Sequence, residues 1–565
     1  MTVLQNRFNS LFKSALLFIC VFTAMEFAEY VIAGTMCDYD SLAGMAVVSP
    51  LLTFMTFVSI MITSGTITLY SYNVGRADRL TANRYFSQGI ILCLFLGILL
   101  TVLLIVFDNA ILSFWKISGE YLDSARSYYW GIVFRPVVYF LDYLLMGVLM
   151  TEGEGKLCVR AALIQAVLTI LLGVVLCPFL DVMGLSLAST VAIAVSTAVK
   201  ASFLRCENCP LEFKPYISWL SVFAVFKRSL FPALQPLMQS LFIIFANEYI
   251  LNNYGPETLV IYTVVLRVIA LGTSISDAVT EAMQPMMCVY MAEDNLAGIK
   301  RTMDHCLAQG LRVLFILMAV LLIASPWLPM LFGIREGEFL REAQEAVRLC
   351  LLTLPFFLWA HLHIYAYIYT DRSKYALLFL PLLFFFGSAF GVFFLTHRLG
   401  ETGLWLANAW GAVVTCLAIW LIALFLSCRA KNRCCGALLL YKKRFLSQLV
   451  YDFVSTPEEA VAVSQKITDD LTARNIPAKK ITKVALLAEE MGLINDNRTA
   501  VEVTIEPGQD KVKFIARSNG KHFDASDEGL EPQSFRQFFL AEVMAHLDKE
   551  SYLQLGEENR IIVIV

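Results

Sequence analysis

Two carboxylates, Glu26 and Glu29, stand one turn apart in the stretch MEFAEYVIAG, and they are the only charged side chains between Ser14 and Cys37. Spacing of i, i+3 places them on one helical face. An ionisable group inside an apolar helix is costly unless it meets water or a partner. Facing a wet cavity, such a group exchanges a proton or holds Na⁺. Buried in packing, it pairs with an Arg or bonds to neighbouring helices. Glu248 is the only charge between Arg228 and Glu257 and raises the same choice. Asp277 and Glu281 are i, i+4, with Arg267 three turns earlier, and fit either a site or a solvated helix end. His361 and His363 alternate on one helix, so at most one of them faces a cavity; the other reading is a hydrogen-bonded core histidine. Arg135 and Asp142 read as a structural pair or a cavity wall.

These groups need a membrane scaffold. Of the 565 residues, 58% are hydrophobic and only 16% are charged, against about 25% charged in soluble proteins. Apolar runs dominate to about residue 428. Spanning helices of roughly 20 residues are expected at 13–34, 44–70, 86–107, 126–149, 160–180, 183–204, 229–251, 258–283, 306–328, 345–369, 375–396 and 402–427. The first run is too long for a cleavable signal peptide and lacks the small-residue cleavage pattern. The net charge of −3 gives no basic excess of the kind nucleic-acid binding needs.

Lys and Arg set the expected orientation. Arg76, Arg79, Arg84, Lys156, Arg160, Lys200, Arg205, Lys214, Lys227, Arg228, Lys300, Arg301, Arg372 and Lys374 follow the even-numbered segments, whereas the 1–2 and 7–8 loops contain none. Both termini are therefore expected in the cytoplasm. A weak internal repeat, shifted by about 217–221 residues, pairs EYVI (29–32) with EYIL (248–251) and SQG (87–89) with AQG (308–310). It places Glu248 opposite Glu29. Each copy holds six segments, so the halves are parallel, with sites expected between them near the membrane midplane.

The 14 cysteines do not form a disulfide framework, since half fall in or beside apolar helices. Cys206 and Cys209 lack the four ligands of a structural zinc site unless Cys428, Cys434 or Cys435 join them, and no metal is assigned. After the basic linker 429–446, residues 447–565 form a soluble unit. SQLVYDFVS, AVEVTIEP, KVKFIARSN and RIIVIV read as strands, and 457–475 and 478–493 as amphipathic helices. The fold class is an all-α polytopic membrane domain of 12 transmembrane helices in two six-helix bundles (1–220 and 221–428), followed by a small α/β cytoplasmic domain, an α+β sandwich.

The first helix pair, with Glu29, Gly34, Leu42-Ala43, Pro50 and Gly65, resembles the multidrug and toxic compound extrusion (MATE) transporters. The loop YNVGRADRLTANRYFSQG, then Asn247, Gly255 and Gln284-Pro285, continue the resemblance to about residue 430. It implies a secondary transporter, with Glu29 coupling and Asn247 in the second half. The family's sodium site uses the helix-1 acid, an Asn and an Asp before a Pro, and a Thr. Here those positions carry Gly173, Cys177 before Pro178, and Thr190, which shifts the expectation towards protons or a cation site in the second half.

LLAEEMGLIN, FIARSNGKHFD and LGEENRIIVIV resemble histidine-kinase-like ATPase domains of the anti-sigma-factor type. The resemblance places Glu490, Asn495, Asn519 and Gly520 at the nucleotide positions. The Mg²⁺-holding Asn position is Ile494, with the Asn one residue later, and Ser518-Asn519 replace the adenine-binding Asp. These departures imply a domain kept for interaction or regulation.

The expectation is thus a multi-pass membrane antiporter that uses H⁺ or Na⁺, needs no other cofactor, and exports organic cationic or amphiphilic compounds by alternating access. Glu29, Glu26, Glu248 and Thr190 are its coupling candidates, and Asn247, Asp277, His361 and Arg135 its cavity candidates. Its partners are substrate, lipid and a regulatory protein at the tail. The alternatives are a lipid-linked precursor flippase, disfavoured by few intramembrane Arg residues, and a membrane sensor.

Overall fold

A computed structural model describes residues 2–36, 39–114, 120–205, 209–331, 334, 337–370, 372–429, 434–493, 499–508, 511–519, 549–555 and 558–565. The first half contains α1 (Val3–Met36), α2 (Tyr39–Gly75), α3 (Arg79–Val106), α4 (Asp108–Phe114), α5 (Glu120–Ile132), α6 (Arg135–Thr151) and α7 (Gly155–Ala201). The second contains α8 (Trp219–Asn253), α9 (Pro256–Ala292), α10 (Leu296–Ala324), α11 (Leu328–Leu331), α12 (Gly337–Cys350), α13 (Thr353–Tyr369), α14 (Ser373–Pro381), α15 (Gly387–Leu399) and α16 (Glu401–Arg429). The twelve apolar segments of the sequence all fall on these helices. Among the described residues, eight helices are long and apolar enough to cross a membrane, or nine if the pair α5–α6, bent by 48°, is one span. The chain is a multi-pass membrane protein. The long α7 is counted once there but holds two expected segments, bent at Asp181.

The repeat is visible in backbone detail. Tyr39 opens α2 and Pro256 opens α9, about 217 residues apart. At the following turns Ala77 and Asp294 both take positive φ, at 57° and 58°. Each turn then supplies the next helix with a side-chain cap: Asp78 accepts from Thr81 N and Asn295 accepts from Gly298 N. Asp181 (φ 51°, ψ −138°) repeats the conformation of Gly400 (φ 61°, ψ −138°), a region that only glycine enters without strain. Pro381 in α14 is followed by a single π turn, Leu382–Phe386, closed by Gly387 N donating to Leu382 O.

The halves meet through α2 on α8 and α9, and α1 on α9. Gly65 N donates to Ser229 Oγ at 2.7 Å. At Gly75 a Cβ would lie 2.8 Å from both Val289 Cα and Ala292 Cβ, so glycine allows the ends of α2 and α9 to touch.

A hairpin, β1 (Cys434–Cys435) with β2 (Leu440–Tyr441), and the short α17 (Lys442–Ser447) lead into the tail. There β3 (Leu449–Val454), β4 (Ala500–Pro507), β5 (Val512–Ser518), β6 (Lys549–Leu555) and β7 (Glu558–Ile564) form an antiparallel sheet of order β3-β4-β5-β7-β6. Helices α18 (Pro457–Thr472) and α19 (Ala478–Leu493) supply its remaining layer. Alternate residues Val501, Val503, Ile505, Phe514, Ala516, Ile561 and Val563 pack with Ile467, Leu471, Val484 and Met491 in one apolar core. The strands and helices read from the tail sequence are all present.

Asp181 is exposed, so its side chain contributes little while its backbone is strained. Asp181→Gly is expected to raise stability by about 1 kcal/mol, and Gly400→Ala to lower it by about 1–3 kcal/mol. Apparent Tm in detergent checks both; a fall for Asp181→Gly contradicts the strain.

Candidate functional site

Polar residues inside the apolar helices recur at helical spacing: Tyr139, Asp142 and Tyr143 on α6; Gln235 and Gln239 on α8; Asp277, Glu281 and Gln284 on α9; Tyr365 and Tyr369 on α13. Each set therefore occupies one face. The fold turns these faces toward one another around a cavity of about 410 Å³ between the halves, with Phe18, Ile60, Ser64 and Ile67 completing the wall.

The cavity's acids are in different states of compensation. Asp142 pairs with Lys200 Nζ at 2.7 Å and accepts from Ser196 Oγ at 3.0 Å and Thr197 Oγ1 at 3.3 Å. Lys200, counted in the sequence among the loop cations, is fully buried near the end of α7. Asp277 and Glu281 form no ion pair with Lys or Arg among the described residues. Glu281 accepts from Tyr143 Oη at 3.1 Å. The Asp277 side chain is 45% exposed, and its Oδ1 lies 3.7 Å from Nε2 of the buried His361. Tyr365 donates to Gln235, and Gln284 Nε2 donates to Thr68 Oγ1 at 3.1 Å. The result is an aromatic wall with two carboxylates on α9. At the positions that match those carboxylates, α2 presents Ile60 and Ser64, so the charge is asymmetric on a symmetric scaffold.

The other expected residues lie elsewhere. Met25 accepts from Gln165 Nε2 at 3.7 Å and Thr169 Oγ1 at 3.5 Å, and Ile32 packs near Gly173 and Leu185. Helical spacing puts the half-buried Glu29 on this same face of α1, against α7. The Glu26 side chain, Asn495 and Gly520 lie outside the described residues. Thr190 donates to Gly131 O at 3.0 Å and Ser186 O at 2.9 Å, with Arg135 Nε 3.4 Å away.

Arg135 bonds Ser189 and, at 3.4 Å, Ser186 O. It neither pairs with Asp142 nor lines the cavity. His361 stands behind the cavity wall, stacked on Phe357. Asn247 is half-buried on α8, two turns past Gln239, and is likewise not in the cavity wall. Glu248 is exposed. The helix ends place the buried Ala246 opposite Glu29, and a two-residue slip turns Glu248 about 200° around the helix. The EYVI–EYIL match therefore does not make the two glutamates structural counterparts. Glu490 and Asn519, at the end of α19 and just after β5, are half-buried.

Residues 15–175 match the MatE family model. Among solved structures, an outward-facing multidrug-resistance MATE transporter of the MOP superfamily shares 16% identity. It has a TM-score of 0.69, with 76% of this chain and 97% of that one covered. The chain has the MATE fold. A MOP-superfamily transporter from Pyrococcus furiosus, described for a binding pocket of reverse polarity, gives a TM-score of 0.68 at 16% identity, covering 75% and 97%. A Vibrio cholerae MATE transporter gives 0.69 at 15%, covering 76% and 98%. No curated protein matches. The MATE fold accounts for the paired bundles and the cavity between them.

Removing Asp142 would leave Lys200 charged and buried. Asp142→Ala is expected to cost about 3–5 kcal/mol, with much of it recovered in the double variant Asp142→Leu/Lys200→Met. Thermal unfolding in detergent measures both, and additive losses contradict the pairing.

Proposed function

We propose that this protein is a cation-coupled antiporter that exports organic, cationic or amphiphilic compounds across the cytoplasmic membrane by alternating access. The observation that carries this reading is the cavity between the halves, where Asp277 and Glu281 face tyrosines with no Lys or Arg paired to them among the described residues. Carboxylates and aromatic faces together attract organic cations. A lipid pyrophosphate needs the opposite charge, so the flippase reading gains no support. The basic residues at the α2–α3, α6–α7 and α9–α10 turns support placing those ends, both termini and the tail in the cytoplasm.

Proton coupling is favoured over sodium. A Na⁺ site at Glu29 would need the Thr190 oxygen, yet that hydroxyl is donated to carbonyls and has a guanidinium beside it. Glu29 then exchanges a proton, and Asp277 and Glu281 bind the substrate cation or exchange a second proton. The tail acts as a regulatory domain that binds a protein or the transporter itself.

Transport into sealed vesicles under an imposed pH or Na⁺ gradient tests this. Glu29→Gln, Asp277→Asn and Glu281→Gln are each expected to lower gradient-driven transport about tenfold or more, the scale of one lost charge-assisted contact. Tyr143→Phe should have a smaller effect. Wild-type rates in all three carboxylate variants would refute the mechanism.

A further inference from the structure

The sheet face of the tail that points away from α18 and α19 carries a row of charges. The strand register sets Asp452 beside Glu502, Glu502 beside Arg517, and Arg517 beside Arg560. Four neighbouring strands thus present two acids and then two arginines in line. The membrane domain answers with opposite signs. Arg301 of α10 bonds Asp452 and, at 3.1 Å, Glu502. Glu293, which caps α9, takes Arg517 and Arg560. Glu293, Glu502, Arg517 and Arg560 are all buried, the least so at 2% exposed.

More bonds tie the tail to the second half. Lys513 Nζ donates to Glu293 O at 2.6 Å, Gln448 Nε2 to Asp294 O at 2.7 Å, and Ala297 N to Gln448 Oε1 at 2.9 Å. Arg560 also reaches the first half. Its Nη1 donates to the carbonyl of Gly75, the last residue of α2, as well as to Glu293. One buried guanidinium therefore holds both halves at the point where the ends of α2 and α9 touch. Strand β4 also lies against α1. The repeat distinguishes the two halves here: the turn after α2 carries Arg76 where the turn after α9 carries Glu293, so at this matched position the second half presents an acid to the tail arginines and the first half a cation.

Alternating access separates the ends of α2 and α9. That movement breaks the bond from Arg560 to one half or the other, and a buried cation is costly to leave short of partners. We propose that the tail is a clamp on the transport cycle: the charge row fixes it to the second half, and Arg560 fastens the first half only while this end is closed. The clamp holds the transporter closed on the tail side, and displacement of β7 releases it. The inference rests on the transport reading in one respect, that the two halves move apart here.

The test uses the full chain in lipid nanodiscs, with fluorophores on non-canonical amino acids at the exposed positions Arg76 and Lys300. A second pair at Lys300 and Lys479 reports tail docking. Arg560→Ala is expected to leave the tail docked and to raise the open-to-closed ratio at Arg76–Lys300 about tenfold, with Arg560→Lys in between. If Arg560→Ala keeps a docked tail and the wild-type distribution, while a proton gradient still moves the wild-type distance, the clamp is overturned and transport stands. A distance that no gradient or variant moves overturns both. Should Arg560→Ala not fold, Asp452→Asn/Glu502→Gln loosens the far end of the row. Opening should rise as the tail undocks, and an undocked tail with unchanged closure refutes the clamp.

Discussion

A carboxylate enclosed by apolar helices must find a cation, a donor or water, and this constraint orders the whole molecule. Asp142 is met by Lys200, and that pair locks α6 to the end of α7. Glu293 is met by Arg517 and Arg560, and that cluster brings the tail onto the membrane domain. Asp277 and Glu281 are met by a cavity, a tyrosine and a histidine. The compensated acids are structural joints. Asp277 and Glu281, with no Arg or Lys paired to them among the described residues, face the cavity instead.

The two halves share a scaffold and divide the chemistry between them. Turn for turn the repeat is kept, down to the positive φ at Ala77 and Asp294 and the shared kink of Asp181 and Gly400. Yet the face that carries Asp277 and Glu281 on α9 carries Ile60 and Ser64 on α2, and the turn that presents Glu293 in one half presents Arg76 in the other. Backbone symmetry makes the interface between the halves. The departures in side-chain charge give that interface a direction: Asp277, Glu281 and Glu293, which takes the tail arginines, all belong to the second half.

Much of this was legible in the sequence because hydropathy reports burial in lipid directly. All twelve segments, and the tail strands in YDFV, VEVTIEP and KFIARS, follow from local periodicity. Site geometry was less legible. EYVI and EYIL align by letters two residues out of register with the helices, which moved Glu248 to the wrong face. Lys200 reads as a loop cation because a charge after an apolar run normally ends a helix; its partner Asp142 is 58 residues away, and no local pattern joins them. The cavity set on α6, α8, α9 and α13 does have a local signal, polar residues at i, i+3, i+4 within apolar helices. Which of those faces converge depends on helix packing. The buried side of the tail sheet had no signal at all, since alternating polar residues normally mark a face in water.

That last point bears on what kind of joint the tail makes. An apolar sheet face would bind the membrane domain through burial alone, in any register that covered it. A row of two acids and two arginines against Arg301 and Glu293 fits in one register and one direction, because any shift sets like charges together. Its net strength is also limited, since desolvating each charge offsets much of the attraction gained on pairing. An interface with strict geometry and modest net affinity can follow a moving partner without being glued to one state. Arg560 sits at the end of that row, where the second half gives way to the first, and its guanidinium bonds Glu293 on one side and the Gly75 carbonyl on the other.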